Sequence, residues 1–249
     1  ESEAKKYQKI GENVSVLMPL SENKKTLRQS LINGLLETIT YNQNRKRENL
    51  AIFEIGHLFA KDLEIPALGI AISGILQQNS WSKARVQADF FVLKGILSSL
   101  FEPIGIEFSY AESHAVESFH PFRQAWIMWE GERVGQIAEI HPSETKRLGI
   151  TQTFVAEVML EKLMLNRVSV DYKAPSKYPH VSRDLALLVD TSIPAGDIIT
   201  IIKQTARKYL IDLDVFDIYQ GGNIGIDQKS IAFRLTLGDA SQTLLNEDV

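Results

Sequence analysis

Five histidines, His57, His114, His120, His141 and His180, are the first side chains whose chemistry needs placing. No two stand at i, i+4 and no HExxH occurs, so the spacing of zinc ligands is absent. His120 and His141 each precede proline, which assigns them to turns. Glu54 and His57 in one strand-like run, and Glu139 near the end of another, have the side chains for general acid–base work. The plainer reading is that backbone or arginine partners hold them. The chain has no cysteine, which excludes disulfides, thiolate metal sites and cysteine nucleophiles. It also has no G-x-x-x-x-G-K-[ST], G-x-G-x-x-G or G-x-S-x-G. The residues therefore assign neither a catalytic group nor a metal ligand.

A second set is suited to binding. In "KYPHVSRDLALLVD", Lys177, Tyr178, His180 and Arg183 stand directly before an apolar strand, with Asp184 at its mouth. Downstream, alternation over residues 230–237 places Phe233, Leu235 and Leu237 on one face and Ala232, Arg234 and Thr236 on the other. The same alternation makes Phe216 and Ile218 share a face, with Asp217 and Tyr219 opposite. Lys177, Arg183, Tyr219 and Arg234 are thus the candidates for an exposed RNA-binding surface, since sheet faces that bind RNA offer aromatics to bases and cations to phosphates. Against this, acidic residues outnumber basic ones from residue 170 onward, and the whole chain carries a net charge of −4. Strong nonspecific phosphate binding is not expected from such a balance.

These residues must be positioned by ordinary globular elements. Of the 249 residues, 44% are hydrophobic and 23% charged, ample for a sizeable core. No apolar run is long enough to span a bilayer and no signal-peptide pattern opens the chain. The lack of cysteine fits a cytoplasmic protein. The first residue is Glu1, so the chain reads as a piece of something longer.

Val14, Val16 and Met18 alternate as on a half-buried strand. Leu27, Leu31, Ile32, Leu35 and Leu36 form a helical stripe, with Ser21 or Asn23 available as its cap. Gly34 interrupts that helix at a cost of about 1 kcal/mol, which points to close packing there. Residues 50–60 read as a central strand, and "ALGIAISGIL" as another. "ADFFVLKGILSSLFEPIG" is an amphipathic helix capped by Asp89 and ended before Pro103. A hairpin turns near Glu130-Gly131, and "TFVAEVML" is a further strand. The first part is therefore α+β with a largely antiparallel sheet.

After a proline-bearing linker come a strand (184–190), a helix (195–210), a strand (213–219), the glycine turn "GGNIG", a strand (230–237) and a helix start at "TLLNEDV". That order is an incomplete ferredoxin-like split βαβ unit whose first strand keeps an open edge. The domains are 1–169 and 170–249.

Several stretches carry a resemblance beyond this reading: "LRQSLINGLLETITYNQNR…LAIFEIGHLFA", "ADFFVLKGIL", "HPFRQAWIMWEGERVGQIAEIHP", "KYPHVSRDLALLVD" and "VFDIYQGGNI…KSIAFRLTLGDASQTLLNEDV". In this order the chain resembles the C-terminal half of the bacterial phenylalanyl-tRNA synthetase β chain. The resemblance implies a class II synthetase-like domain without catalytic residues, followed by a C-terminally truncated ferredoxin-fold anticodon-binding domain. Arg183-Asp184 matches the opening signature of that second domain, and Phe216-Asp217 with Tyr219 and Gly221 its central one. At the synthetase-like core strand, Gly56 is followed by His57 rather than an ATP-contacting arginine. The resemblance further implies a cytoplasmic α2β2 enzyme with an α-subunit partner, tRNA(Phe) as substrate, and ATP and Mg²⁺ as cofactors of the whole assembly. None of these cofactors is expected on this chain. Two rivals remain: an interaction or regulatory module that kept the fold without tRNA, and a separate enzyme built on Glu54 and His57.

Overall fold

The computed structural model describes residues 6–21, 25–79, 81–82, 84–165, 176–222 and 224–244. The chain divides into two compact units, Glu1–Val170 and Asp171–Val249. The first runs α1 (Ile32–Gln43), β1 (Leu50–Ala60), β2 (Leu63–Ser73), β3 (Ile75–Gln78), β4 (Arg85–Gln87), α2 (Phe90–Phe101), β5 (Ser109–Glu112), β6 (Phe119–Trp129), β7 (Glu132–Ile140), α3 (Pro142–Leu148), β8 (Thr153–Met159) and α4 (Glu161–Leu165). Six of these strands form one sheet in the order β1-β2-β8-β7-β6-β5, antiparallel at every pairing.

Each face of the sheet buries one helix. Leu93, Leu97 and Phe101 of α2 pack on Leu68, Ile70, Ile72, Ile127 and Phe154. Asp89 starts that helix by accepting from the Val92 amide at 2.6 Å. On the other face, Ile32, Leu35, Leu36 and Ile39 of α1 meet Ala71, Ala138, Ile140 and Val155, and Tyr7 joins them. The close approach falls at Gly69 in β2 rather than at Gly34. A Cβ on Gly69 would stand 2.9 Å from both Leu31 Cβ and Leu35 Cδ1, whereas one on Gly34 would meet only Glu54 Oε2 at 3.8 Å.

The β6–β7 hairpin turns at Glu130 and Gly131, both with positive φ, as a two-residue turn of this twist requires. Beyond a bulge in this pair, Gly135 lies against the backbone of β8, where a Cβ would run into the Glu157 carbonyl. Gly135→Ala should therefore cost about 1–3 kcal/mol through overpacking, read as a lowered denaturation midpoint. An unchanged midpoint would mean the backbone yields there freely.

Three expectations need correction. Residues 14–18 do not form a buried strand; Ser15 and Thr26 make an isolated bridge, and Met18 is 90% exposed. The helix begins at Ile32, well past Ser21, while Asn23 lies outside the described residues. Physically, the Phe59 amide donates to the Arg28 carbonyl, which keeps this segment extended along β1 instead of winding early. Residues 50–60 form an edge strand rather than a central one, with β2 as the only strand neighbour among the described residues. Their β-branched and aromatic content specifies a strand but not its lateral place.

The second unit contains β9 (Val181–Asp190), α5 (Ala195–Ala206), β10 (Leu210–Tyr219) and β11 (Gln228–Leu237). The sheet order is β10-β11-β9, antiparallel throughout, so β9 has one strand neighbour among the described residues. Ile198 and Ile202 of α5 pack on Ile231 and Phe233, leaving the opposite face uncovered by any described element. The helix stops at Ala206, four residues before the expected end, because Leu210 already pairs with Leu237. Gly221 and Gly222, both at positive φ, make the β10–β11 turn. The expected second helix lies largely outside the described residues.

Candidate interaction surfaces

The side chains with acid–base potential are held structurally. Glu54 receives the Arg28 guanidinium at 2.6 Å. His57 lies three residues on and so projects from the opposite face of β1, its nearest carboxylate being Glu64 at 4.0 Å. The structure does not bring Glu54 and His57 together. Glu139 is buried between Arg123 and Gln152, to both of which it is hydrogen-bonded. Among the described residues no three His, Asp or Glu side chains gather as metal ligands would. No described helix is long and apolar enough to cross a membrane.

A strongly perturbed buried group was not singled out from sequence. Glu157 on β8 is fully buried, and burial pushes its carboxyl up to about 7. It accepts from the Leu31 amide at 2.5 Å and the Ser30 hydroxyl at 3.0 Å, and so holds the entry to α1. Gln136 Nε2, 3.5 Å away, also donates to the Tyr7 carbonyl and Gln8 Oε1. The N-terminal segment closes over this network. The signal in the sequence was one glutamate within an otherwise apolar strand.

Two open surfaces remain, one on each unit. On the first, β1 continues the α2-covered face of the sheet beyond the edge of α2. Phe53 and Ile55 are 72% and 67% exposed there. With Ala51, Ile70, Ile96 and Leu100 they line an apolar groove of about 330 Å³. A long, regular, apolar edge strand is a surface that folded proteins normally cover. The end of β1 and the residue after it are covered in part, since Arg28 bonds the His57 carbonyl and the Phe59 amide, and the Lys61 amide donates to the Glu12 carbonyl.

On the second unit, the uncovered face centres on Arg234. It pairs in register with Asp184 on β9 and forms two hydrogen bonds to its carboxylate, both 2.8 Å. Those bonds hold the Asp184 carboxyl below the usual range and raise Arg234. The guanidinium also lies over the Phe216 ring, 4.8 Å from its centroid. Phe216 is the extra residue of a bulge, because Val215 opposes Phe233 while Asp217 opposes Ala232. The expectation that Phe216 and Ile218 share a face therefore fails. Phe216 joins Asp217 and Tyr219 on the open side, and Ile218 opposes buried Ile231.

Tyr219, opposite Ser230, shares this face with Arg234, and its hydroxyl rests where a Cβ on Gly222 would sit. Arg183 opposes Leu235, so it projects from the helix-covered side, and it donates to the Ser182 carbonyl at 3.3 Å. Lys177 is exposed in the loop before β9. Of the four candidate residues, the structure brings Tyr219 and Arg234 to one face and places Arg183 and Lys177 elsewhere. The sequence reading missed Phe216 and the partnership of Asp184 with Arg234.

Comparison with known proteins adds an independent finding. Residues 1–160 match the family model described as phenylalanyl tRNA synthetase beta chain CLM domain. Residues 176–249 match the ferredoxin-fold anticodon binding domain. The chain is 37% identical over 245 residues to the phenylalanine–tRNA ligase beta subunit of Staphylococcus saprophyticus, covering 96% of the chain and 30% of that relative. It is 36% identical over 248 residues to the subunit of Lactococcus lactis, with 96% and 31% covered. For Bacillus subtilis the identity is 34% over 248 residues, with 95% and 30% covered. The chain thus spans about 30% of the length of the curated relatives it matches.

Proposed function

The chain belongs to the phenylalanyl-tRNA synthetase β-chain family, and from that premise we propose that it serves phenylalanine–tRNA ligation without doing the chemistry itself. Its first unit supplies a docking surface for the α subunit of an α2β2 enzyme. Its second unit supplies a face that meets the anticodon side of tRNA(Phe). ATP and Mg²⁺ belong to the whole assembly in this reading, and this chain holds neither. The observation that carries it is the filled sheet of the first unit. Glu54 and Glu139 are each held by an arginine and Glu157 by the Leu31 amide, while His57 stands apart from Glu54, so among the described residues these acid–base candidates do not assemble into a catalytic pair.

The exposed face of the second unit supports the RNA part of this reading. Phe216 and Tyr219 offer rings at 46% and 49% exposure, and Arg234 is neutralised by Asp184. Asp214 and Asp217 make the same face acidic. Such a surface recognises bases by stacking and edge contacts, and binds phosphate weakly. Arg234 acts here as a positioning residue that holds Phe216.

The test is titration of the whole enzyme with an anticodon stem-loop of tRNA(Phe). Tyr219→Ala should weaken binding by about tenfold, the usual scale for one lost stack. Arg234→Ala should weaken it with little change in salt dependence, because no phosphate contact is lost. Unaltered binding in both variants would remove this face from the reading. In parallel, the chain alone should give no ATP–pyrophosphate exchange with phenylalanine, and appreciable exchange would overturn the non-catalytic assignment.

A further inference from the structure

A third exposed feature belongs to neither surface above. Strands β3 and β4 form their own two-stranded sheet, separate from the six-stranded one. Gln77 pairs with Val86 and Gln78 with Arg85, and the Asn79 amide donates to the Ala84 carbonyl near the turn. Among the described residues this hairpin is anchored at its base, by Leu76 against the core below α2 and by the Ile75 amide donating to Asn49 Oδ1. Trp81 lies in the turn and is 91% exposed. The other two tryptophans are placed differently: Trp129 is buried and Trp126 is stacked under the Arg133 guanidinium.

The composition around Trp81 is equally uneven. Between residues 74 and 88 the sequence has Lys83 and Arg85 but no Asp or Glu, in a chain whose net charge is −4. The remaining polar residues of that stretch are glutamines, asparagine and serines. Water gives no reason to hold a full indole out on a narrow hairpin. A flat ring, a guanidinium and primary amides together match a nucleobase, its phosphate and its edge groups. An anchor for a protein pocket would call for an apolar surround, but Gln77, Gln78, Ser82 and Arg85 are all exposed and polar.

We infer that the β3–β4 hairpin is a second RNA contact, in which Trp81 stacks on an unpaired base of a single-stranded segment and Arg85 meets its phosphate. The inference rests on the proposed role in tRNA ligation only in taking RNA as the ligand. It concerns a different unit and a different part of the RNA from the anticodon face.

The experiment uses the enzyme assembled with its α subunit and two probes: a labelled short oligoadenylate, and the anticodon stem-loop. Trp81→Ala should weaken oligoadenylate binding by about tenfold, and Trp81→Phe should restore most of it. Arg85→Gln should lower the slope of log affinity against log salt by about 0.7, as loss of one phosphate contact on a single strand predicts. Because Trp81 and Arg85 are exposed, matching melting curves would confirm that each variant folds.

Equal oligoadenylate affinity for the unaltered enzyme and Trp81→Ala overturns the inference, as does failure of the unaltered enzyme to bind that probe. Loss of α-subunit assembly in Trp81→Ala, with RNA affinity unchanged, would make the hairpin a protein anchor and also overturn it. A Tyr219-dependent response to the anticodon stem-loop would survive any of these results. The two readings therefore fail separately.

Discussion

Glu157→Gln should flatten the pH dependence of stability between about pH 4.5 and 7 without lowering stability at neutral pH. In the folded chain the Glu157 carboxyl is raised to about 7 by burial, against an ordinary 4.5. The folded state therefore holds the proton over a range where the unfolded state has released it. The resulting stability is fully present below about 4.5 and is lost as pH rises through about 7, a change of about 3 kcal/mol. Glu144 works in the opposite sense and in another window. Arg147 and Lys6 hold it down to about 2, so its contribution is lost only as pH falls from about 4.5 toward 2.

A glutamine at 157 keeps an oxygen for the Leu31 amide and the Ser30 hydroxyl. Its amide can donate to Gln136 Oε1, a buried acceptor without a partner among the described residues. Glu157→Ala removes the acceptor altogether, strands the start of α1 and opens a cavity, at a cost of about 2–4 kcal/mol. Urea midpoints of the three proteins from pH 4.5 to 8 decide the matter. A glutamine variant that keeps the wild-type slope would show that another group carries the proton.

Charging the open groove should have the second large effect. Phe53→Asp with Ile55→Asp is expected to weaken assembly with the α subunit by about 30-fold or more, the scale of a buried interface hot spot. Both side chains already face water in the isolated chain, so its melting temperature should change little. Sedimentation of the mixed subunits reads assembly directly. Unchanged assembly of the double variant would move the α-subunit interface to another surface.

How much of this was legible in the sequence depended on what each signal encodes. The α2 helix was readable to its cap, since Asp89, the apolar stripe and Pro103 are all local. The β6–β7 hairpin was readable for the same reason, through Glu130-Gly131. Lateral order was not, because alternation in residues 50–60 is equally compatible with an edge and with a sheet centre. The start of α1 was obscured by a long-range bond, that of the Phe59 amide to the Arg28 carbonyl, which no local pattern announces. Tyr219 and Arg234 were placed on one open face by simple alternation. Phe216 was misplaced by the same rule, because a bulge breaks the period of two. Asp184 stands beside Arg183 in the sequence, yet its partner is Arg234, fifty positions away on β11.

The bulge at Phe216 also divides two jobs within one strand. Remove Phe216, and β10 would still present Asp217 and Tyr219 outward, with Val215 and Ile218 turned toward the helix, because the pairing to β11 resumes in the same phase on either side. The strand is two residues longer than its ladder requires, at Ile211 and at Phe216. The second surplus residue is an aromatic delivered to the open face, clamped under an arginine that is itself clamped by an aspartate. A bulge residue of this kind adds an exposed aromatic while the ladder on either side keeps its pairing. Selection for the ligand and selection for the fold can then act on different residues of the same strand.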